Sequence, residues 1–287
     1  MRYALFLGCT IPARSRDYEL SSRKVAERLG VELVDLNEFA CCGFPIESLD
    51  QEAALLMAAR NLGIAESKGL DMCTLCSACT SILTETNQRI QEDGAVRTRV
   101  NKKLAAIDKN YTGSTAVTHF SRVLFEDIGI ERIEKETTHK LTSLKIAPHY
   151  GCHYLKPSNI YDRFDDPENP KTLHRLIAAT DAQVVSYERE KDCCGGGVLA
   201  VDEDLALGIA REKLQHAKAA GADAICLICP FCAIMYDDNQ RKIEAKFSET
   251  YGLPVIYYAQ LLGLALGMSA QDLGLSRAKT EALLTKI

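Results

Sequence analysis

Short apolar runs alternate along this chain with stretches whose apolar residues recur at helical spacing, and the whole alternation occurs twice. In the first half the run from Tyr3 to Leu7 leads into Gly8 and Cys9; in the second, the run from Lys145 leads into Gly151 and Cys152. Both read as strands. A helical pattern follows each (about Arg16 to Leu29; Lys171 to Ala179), then a short β-rich run (Val31 to Asp35; Gln183 to Tyr187). A further helical pattern (about Gln51 to Glu66; Asp204 to Ala220) precedes another strand in each half.

This order predicts α/β architecture: two tandem, pseudo-symmetric Rossmann-like units with small parallel sheets. Ligands of such sheets gather beyond the carboxyl ends of the strands, which marks the residues after each strand as candidates for chemistry. The expected domains are 1–140 and 141–287. The polar, helix-like stretch from Asp93 to Leu141, broken at Gly113 and Gly129, reads as the connection between the two copies of the repeat.

The cysteines carry the same duplication. They are Cys9, the pair Cys41 and Cys42, and Cys73, Cys76 and Cys79, then Cys152, the pair Cys193 and Cys194, and Cys226, Cys229 and Cys232. Each half reads C, CC, CxxCxxC, with 32 and 41 positions from the single cysteine to the pair, and 34 and 35 from the pair to the middle of CxxCxxC. One loop is lengthened in the second copy. Glycine follows both pairs, as Gly43 and Gly195. All three cysteine groups of a copy follow predicted strands and are expected to converge at one sheet edge.

Composition narrows the function. With 287 residues, 47% hydrophobic and 25% charged, the chain has the makeup of an ordinary globular protein. A net charge of -5 gives no basic footprint for nucleic acid or anionic membrane. The Tyr3 to Leu7 run is too short for a signal peptide, and Leu261 to Met268 falls far short of the roughly 20 residues of a membrane span. A cytoplasmic protein is expected, and there twelve cysteines point to metal or redox chemistry rather than disulfides.

Zinc on four cysteines is the plain alternative, but C, CC and CxxC already supply five thiolates, one more than a tetrahedral ion takes. The bacterial ferredoxin run needs a fourth cysteine where Leu83 and Tyr236 stand. A thioredoxin-type CxxC leaves the other cysteines unexplained. Gly195, Gly197 and Ala200 match the dinucleotide fingerprint but follow a cysteine pair instead of a strand, so neither NAD nor flavin is expected. Five thiolates on one edge suit a polynuclear iron centre of nonstandard type.

With FLGCTIPAR near the start, HYGCHYLKPS and CCGGG in the second half, and AQLLGLALGMSAQDLGL near the end, the chain resembles the B-type subunit of heterodisulfide reductase, the family with two cysteine-rich CCG domains. The resemblance covers nearly the whole chain, although the interval between CC and CxxC is a residue or two shorter than the family's usual motif. It implies two noncubane [4Fe-4S] clusters, one on Cys9, Cys41, Cys42, Cys76 and Cys79, the other on Cys152, Cys193, Cys194, Cys229 and Cys232. Cys73 and Cys226 then remain as buried thiols outside the clusters. The implied reaction reduces the disulfide of coenzyme M and coenzyme B in methanogenesis, or a similar disulfide, to two thiols. The implied partners in the complex are a flavin-bearing A-type chain and a ferredoxin-like C-type chain.

Cleaving a disulfide takes two electrons while iron-sulfur carriers deliver one at a time, a chemical reason for two centres. The coenzymes are anionic, so a cationic mouth is expected. Arg14 and Lys156, on corresponding loops after Cys9 and Cys152, are its candidates, with His153 as proton donor and His149 as a structural residue. Two other readings stay open: a noncatalytic electron-transfer or zinc-stabilised scaffold, and the CCG subunit of an organic-acid dehydrogenase.

Overall fold

The computed structural model describes residues 1–286. Among these residues eight short strands form two four-stranded sheets, both parallel throughout. The first contains β1 (Arg2–Phe6), β2 (Glu32–Asp35), β3 (Asp71–Thr74) and β4 (Val117–His119), in the order β2-β1-β3-β4. The second repeats it with β5 (Lys145–His149), β6 (Gln183–Val184), β7 (Ala224–Leu227) and β8 (Val255–Tyr257), in the order β6-β5-β7-β8.

This order reverses the winding once in each sheet, between β1 and β3 and between β5 and β7, and such switch points open the crevice where α/β proteins bind ligands. Cys9 and Cys152 follow the strands on one side of the crevice, Cys76 and Cys229 those on the other. The register makes the copies superpose residue by residue: Leu5 pairs with Cys73 and Pro148 with Cys226, Phe6 with Thr74 and His149 with Leu227. Phe6 and His149 are therefore equivalent positions.

The helices fall close to the predicted ones, at Arg16–Arg28, Gln51–Ser67, Thr172–Ala178 and Glu203–Ala219. Asp50 and Asp202 cap the two 17-residue helices, each accepting from the backbone N–H three residues on. One expectation is overturned. As far as His119 the segment expected as a connection is part of the first unit: it holds the helix Gly94–Leu104 and then β4, whose Val117, Thr118 and His119 pair with β3, whereas Thr138, His139 and Leu141 donate to backbone carbonyls of the second copy.

The two copies pack closely. The Tyr18 and Tyr257 rings stack with centroids 3.9 Å apart, and Tyr257 Oη donates to Ser15 Oγ at 2.9 Å. His119 Nε2 lies 3.0 Å from the carbonyl of Ile228, just before Cys229. The helix Tyr258–Ala265 lies against Arg16–Arg28, with Gln260 donating to Asp17. No helix among the described residues is long and apolar enough to cross a membrane.

Candidate metal centre

In both copies the loop that carries the cysteine pair is shaped by its glycine. Gly43 and Gly195 sit at φ +96° and +81°, and a Cβ on either would come within 2.7 Å of a carbonyl oxygen, of Ala54 and Ala206 respectively. Only glycine fits so tight a turn against a helix. The turn aims N–H groups at sulfur, Gly43 toward Cys41 at 3.5 Å, Gly195 toward Cys193 at 3.4 Å and Gly196 toward Cys194 at 3.4 Å. Gly8 is equally constrained, since its Cβ would lie 2.9 Å from Cys79 Sγ.

The thiols form one continuous string. Cys42 is held down to about 4 by hydrogen bonds from Cys41 and Cys79, and Cys193 down to about 2 by hydrogen bonds from Cys152 and Cys194. Cys229 is lowered by its neighbours Cys232 and Cys76, and Cys194 in turn neighbours Cys232. The string thus runs from Cys41 through Cys42, Cys79 and Cys76 across the boundary between copies to Cys229, Cys232, Cys194, Cys193 and Cys152. Cys9 stands at its rim, exposed, within electrostatic reach of Cys41. Among the described residues no three His, Cys, Asp or Glu side chains are arranged around a single-ion site.

Cys73 and Cys226 stand apart. Both lie within strands, both are fully buried, and it is burial rather than a neighbouring thiol that raises their pKa.

The candidate substrate residues take different places. His153 packs edge-on against Phe44 at 4.8 Å, so this residue of the second copy covers the pair loop of the first. Arg14 pairs with Asp238 at 3.5 Å and Lys156 with Glu168 at 3.1 Å, with side chains 61% and 54% exposed. Arg14 and Lys156 thus each hold an acidic partner, and His153 an aromatic one.

His149, expected to be structural, touches one of the candidate cysteines. Its Nε2 is 3.1 Å from Cys232 Sγ and its Nδ1 3.2 Å from Lys213 Nζ. Lys213 is 1% exposed, and its ammonium also donates to the carbonyls of Glu190 and Asp192, each at 2.7 Å; burial pulls its pKa down to about 8. In the sequence Lys213 is one polar residue in a helical pattern and gives no sign of this role by its type. Its signal is position, because Ala206, Ala210, Lys213 and Ala217 share one helical face and the others are apolar. Two buried hydroxyls beside the cysteines, Ser77 Oγ and Tyr236 Oη, have no hydrogen-bond partner.

Residues 3–84 and 146–237 each match the CCG cysteine-rich domain. The chain is 35% identical over 281 residues to the B-type subunit of the ferredoxin:CoB-CoM heterodisulfide reductase of Methanosarcina mazei, covering 96% of this chain and 93% of that one. It is 30% identical over 281 residues to the 8-methylmenaquinol:fumarate reductase membrane anchor subunit of Wolinella succinogenes, covering 98% of this chain and 97% of that one. A crystal structure of a hypothetical protein from Helicobacter pylori has the same fold, with a TM-score of 0.75 at 14% identity over 95% of this chain, which spans half the length of that one. The chain belongs to the family of paired CCG domains that includes the B-type subunits of heterodisulfide reductase, a family of iron-sulfur redox proteins.

Proposed function

We propose that this chain is the catalytic subunit of a soluble, cytoplasmic heterodisulfide reductase complex, reducing an anionic disulfide such as that of coenzyme M and coenzyme B. Two noncubane [4Fe-4S] clusters would be held by Cys9, Cys41, Cys42, Cys76 and Cys79 and by Cys152, Cys193, Cys194, Cys229 and Cys232. The observation that carries this reading is the meeting of two equivalent thiol sets at Cys76 and Cys229. Two adjoining ligand sets would suit a reaction that consumes two electrons at one bond.

The donor set fits the group. Soft thiolates suit iron, ligands strung along an edge suit a polynuclear centre, and inorganic sulfide would give the unpartnered Ser77 and Tyr236 hydroxyls an acceptor. When bound, such clusters supply single electrons, two of which cleave one disulfide. The Gly43, Gly195 and Gly196 N–H groups donate to ligand sulfur and stabilise its negative charge. Cys76, Cys79, Cys229 and Cys232 are buried and keep water away, while the exposed Cys9 and Cys193 mark the open side.

On that side Arg14 and Lys156 would orient the anionic ends of the substrate. Their present ion pairs are solvent-exposed and worth about 0–1 kcal/mol, so a sulfonate or phosphate can displace Asp238 or Glu168. His153, at the seam between copies, would supply a proton to a departing thiolate. Electrons would arrive from a ferredoxin-like C-type chain, with a flavin-bearing A-type chain in the same complex.

Metal analysis of anaerobically purified protein, with EPR spectra taken with and without candidate disulfides, tests the reading. Roughly eight irons per chain, four for each cluster, and a new signal on adding disulfide are expected. Zinc in place of iron would leave a scaffold. Likeness to the fumarate reductase subunit favours a second reading, an electron-transfer subunit linked to an organic-acid enzyme. Two clusters whose spectra ignore every disulfide would establish that reading instead.

A further inference from the structure

The two cysteine sets are equivalent in spacing, but their surroundings are not. At three equivalent positions the first copy has a residue that offers no donor to its cysteine sulfurs, and the second has a polar or charged one. Phe6 corresponds to His149 through the strand register. Asn61 and Lys213 each stand ten residues past the start of a 17-residue helix. Leu83 and Tyr236 each stand four residues past the last cysteine.

Asn61 and Lys213 share one task. Asn61 donates to the carbonyls of Ala40 and Cys41, and Lys213 to those of Glu190 and Asp192, so both pin the loop before or at the cysteine pair. Only Lys213 does more. An ammonium has donors and no acceptor, so its contact with His149 Nδ1 makes that nitrogen the acceptor. The neutral imidazole then carries its hydrogen on Nε2, which faces Cys232 Sγ at 3.1 Å. Tyr236 packs edge-on against His149 at 5.0 Å, and its buried hydroxyl is unpartnered. In the first copy Phe6 and Leu83 can donate nothing.

Donors and positive charge near ligand sulfur favour the reduced state of an iron-sulfur centre. We infer that Lys213, acting through His149 and assisted by Tyr236, holds the cluster of the second copy at a higher midpoint potential than that of the first. A single electron from an iron-sulfur donor would then settle on the second copy, with no bond made or broken. All three are positioning residues, and the inference rests on the proposal that both copies hold clusters.

The test is a mediated redox titration of the full, anaerobically loaded chain followed by EPR, in wild type and in Lys213→Asn, His149→Phe and Tyr236→Leu, which install the residues of the first copy. Wild type is expected to show two separate midpoints. Lys213→Asn and His149→Phe should each lower the higher one, shifting the partition of the electron by about tenfold, or about 59 mV for one electron. The lower midpoint should stay in place, and the triple variant should bring the two together.

Lys213→Arg and His149→Gln, which keep a charge and an N–H donor, should stay near wild type. Two midpoints that do not move in any variant overturn the inference while leaving the two-cluster proposal intact. So does loss of the second cluster's iron in Lys213→Arg and His149→Gln as well as in Lys213→Asn, which would make the role purely structural. Wild-type protein with one cluster or none overturns both.

Discussion

At the scale of single residues, spacing identifies the cysteines, but geometry sorts them. CxxCxxC offers two overlapping CxxC pairs, and register settles which thiols sit inside a sheet: Cys73 lies between Leu5 and Thr118, and Cys226 between Pro148 and Ile256. Cys73→Ser is expected to keep full iron content, at a cost of about 1–3 kcal/mol for burying a hydroxyl, while Cys76→Ser should lose iron. Iron retained by Cys76→Ser and lost by Cys73→Ser would reverse the assignment. Arg14→Ala and Lys156→Ala should keep their iron and raise KM for an anionic disulfide by roughly ten to a hundredfold, the worth of about 1.5–3 kcal/mol for a charged hydrogen bond. An unchanged KM in active enzyme would place the cationic mouth elsewhere. Lys213, His149 and Tyr236 are not recognisable as one group in the sequence because residues 149, 213 and 236 meet only in the fold.

At the scale of elements, the sequence shows those with a strong period and hides the short ones. The helices Gln51–Ser67 and Glu203–Ala219 are legible to within a residue or so, because long apolar faces and aspartate caps mark them. β4 and β8 are three residues each, too short for alternation to show, and β4 is held by its register with Met72, Cys73 and Thr74. The glycines after the cysteine pairs suggest close backbone approach, but the thing approached is a helix as well as the sulfurs. Gly43→Ala or Gly195→Ala should therefore cost more than strain alone, which is about 1–3 kcal/mol. Gly69→Ala and Gly221→Ala are the controls, because their φ values are also positive, +62° and +77°, yet nothing lies within 4 Å of an added Cβ. Melting temperatures of the four variants should fall furthest for Gly43 and Gly195. Equal losses would show that the helix carbonyls yield.

At the scale of the whole molecule, the two copies are joined by buried polar contacts next to the thiol string, and one of them makes stability depend on pH. His119 is fully buried; burial lowers its pKa to about 4, against the opposing pull of Cys229 and the Ile228 carbonyl. Its Nδ1 accepts from the Ser121 N–H at 3.2 Å, which leaves the hydrogen on Nε2 to bond the Ile228 carbonyl across the boundary between copies. A histidine whose folded pKa lies below its unfolded value of about 6.5 stabilises the fold above that value. As pH falls from about 6.5 toward 4 the unfolded chain takes up the proton and the folded one does not, so the contribution is lost. Between pH 7 and pH 5 the loss should be about 2 kcal/mol. Substituting His119→Gln keeps a neutral donor and acceptor at this seam and removes the titration. Its stability should thus fall less over the same interval, read as the difference between two denaturant midpoints at each pH. Parallel losses in wild type and variant would mean that His119 takes up its proton as readily in the folded chain as in the unfolded one, and that the seam is tied by the Tyr18–Tyr257 stack and its neighbours instead.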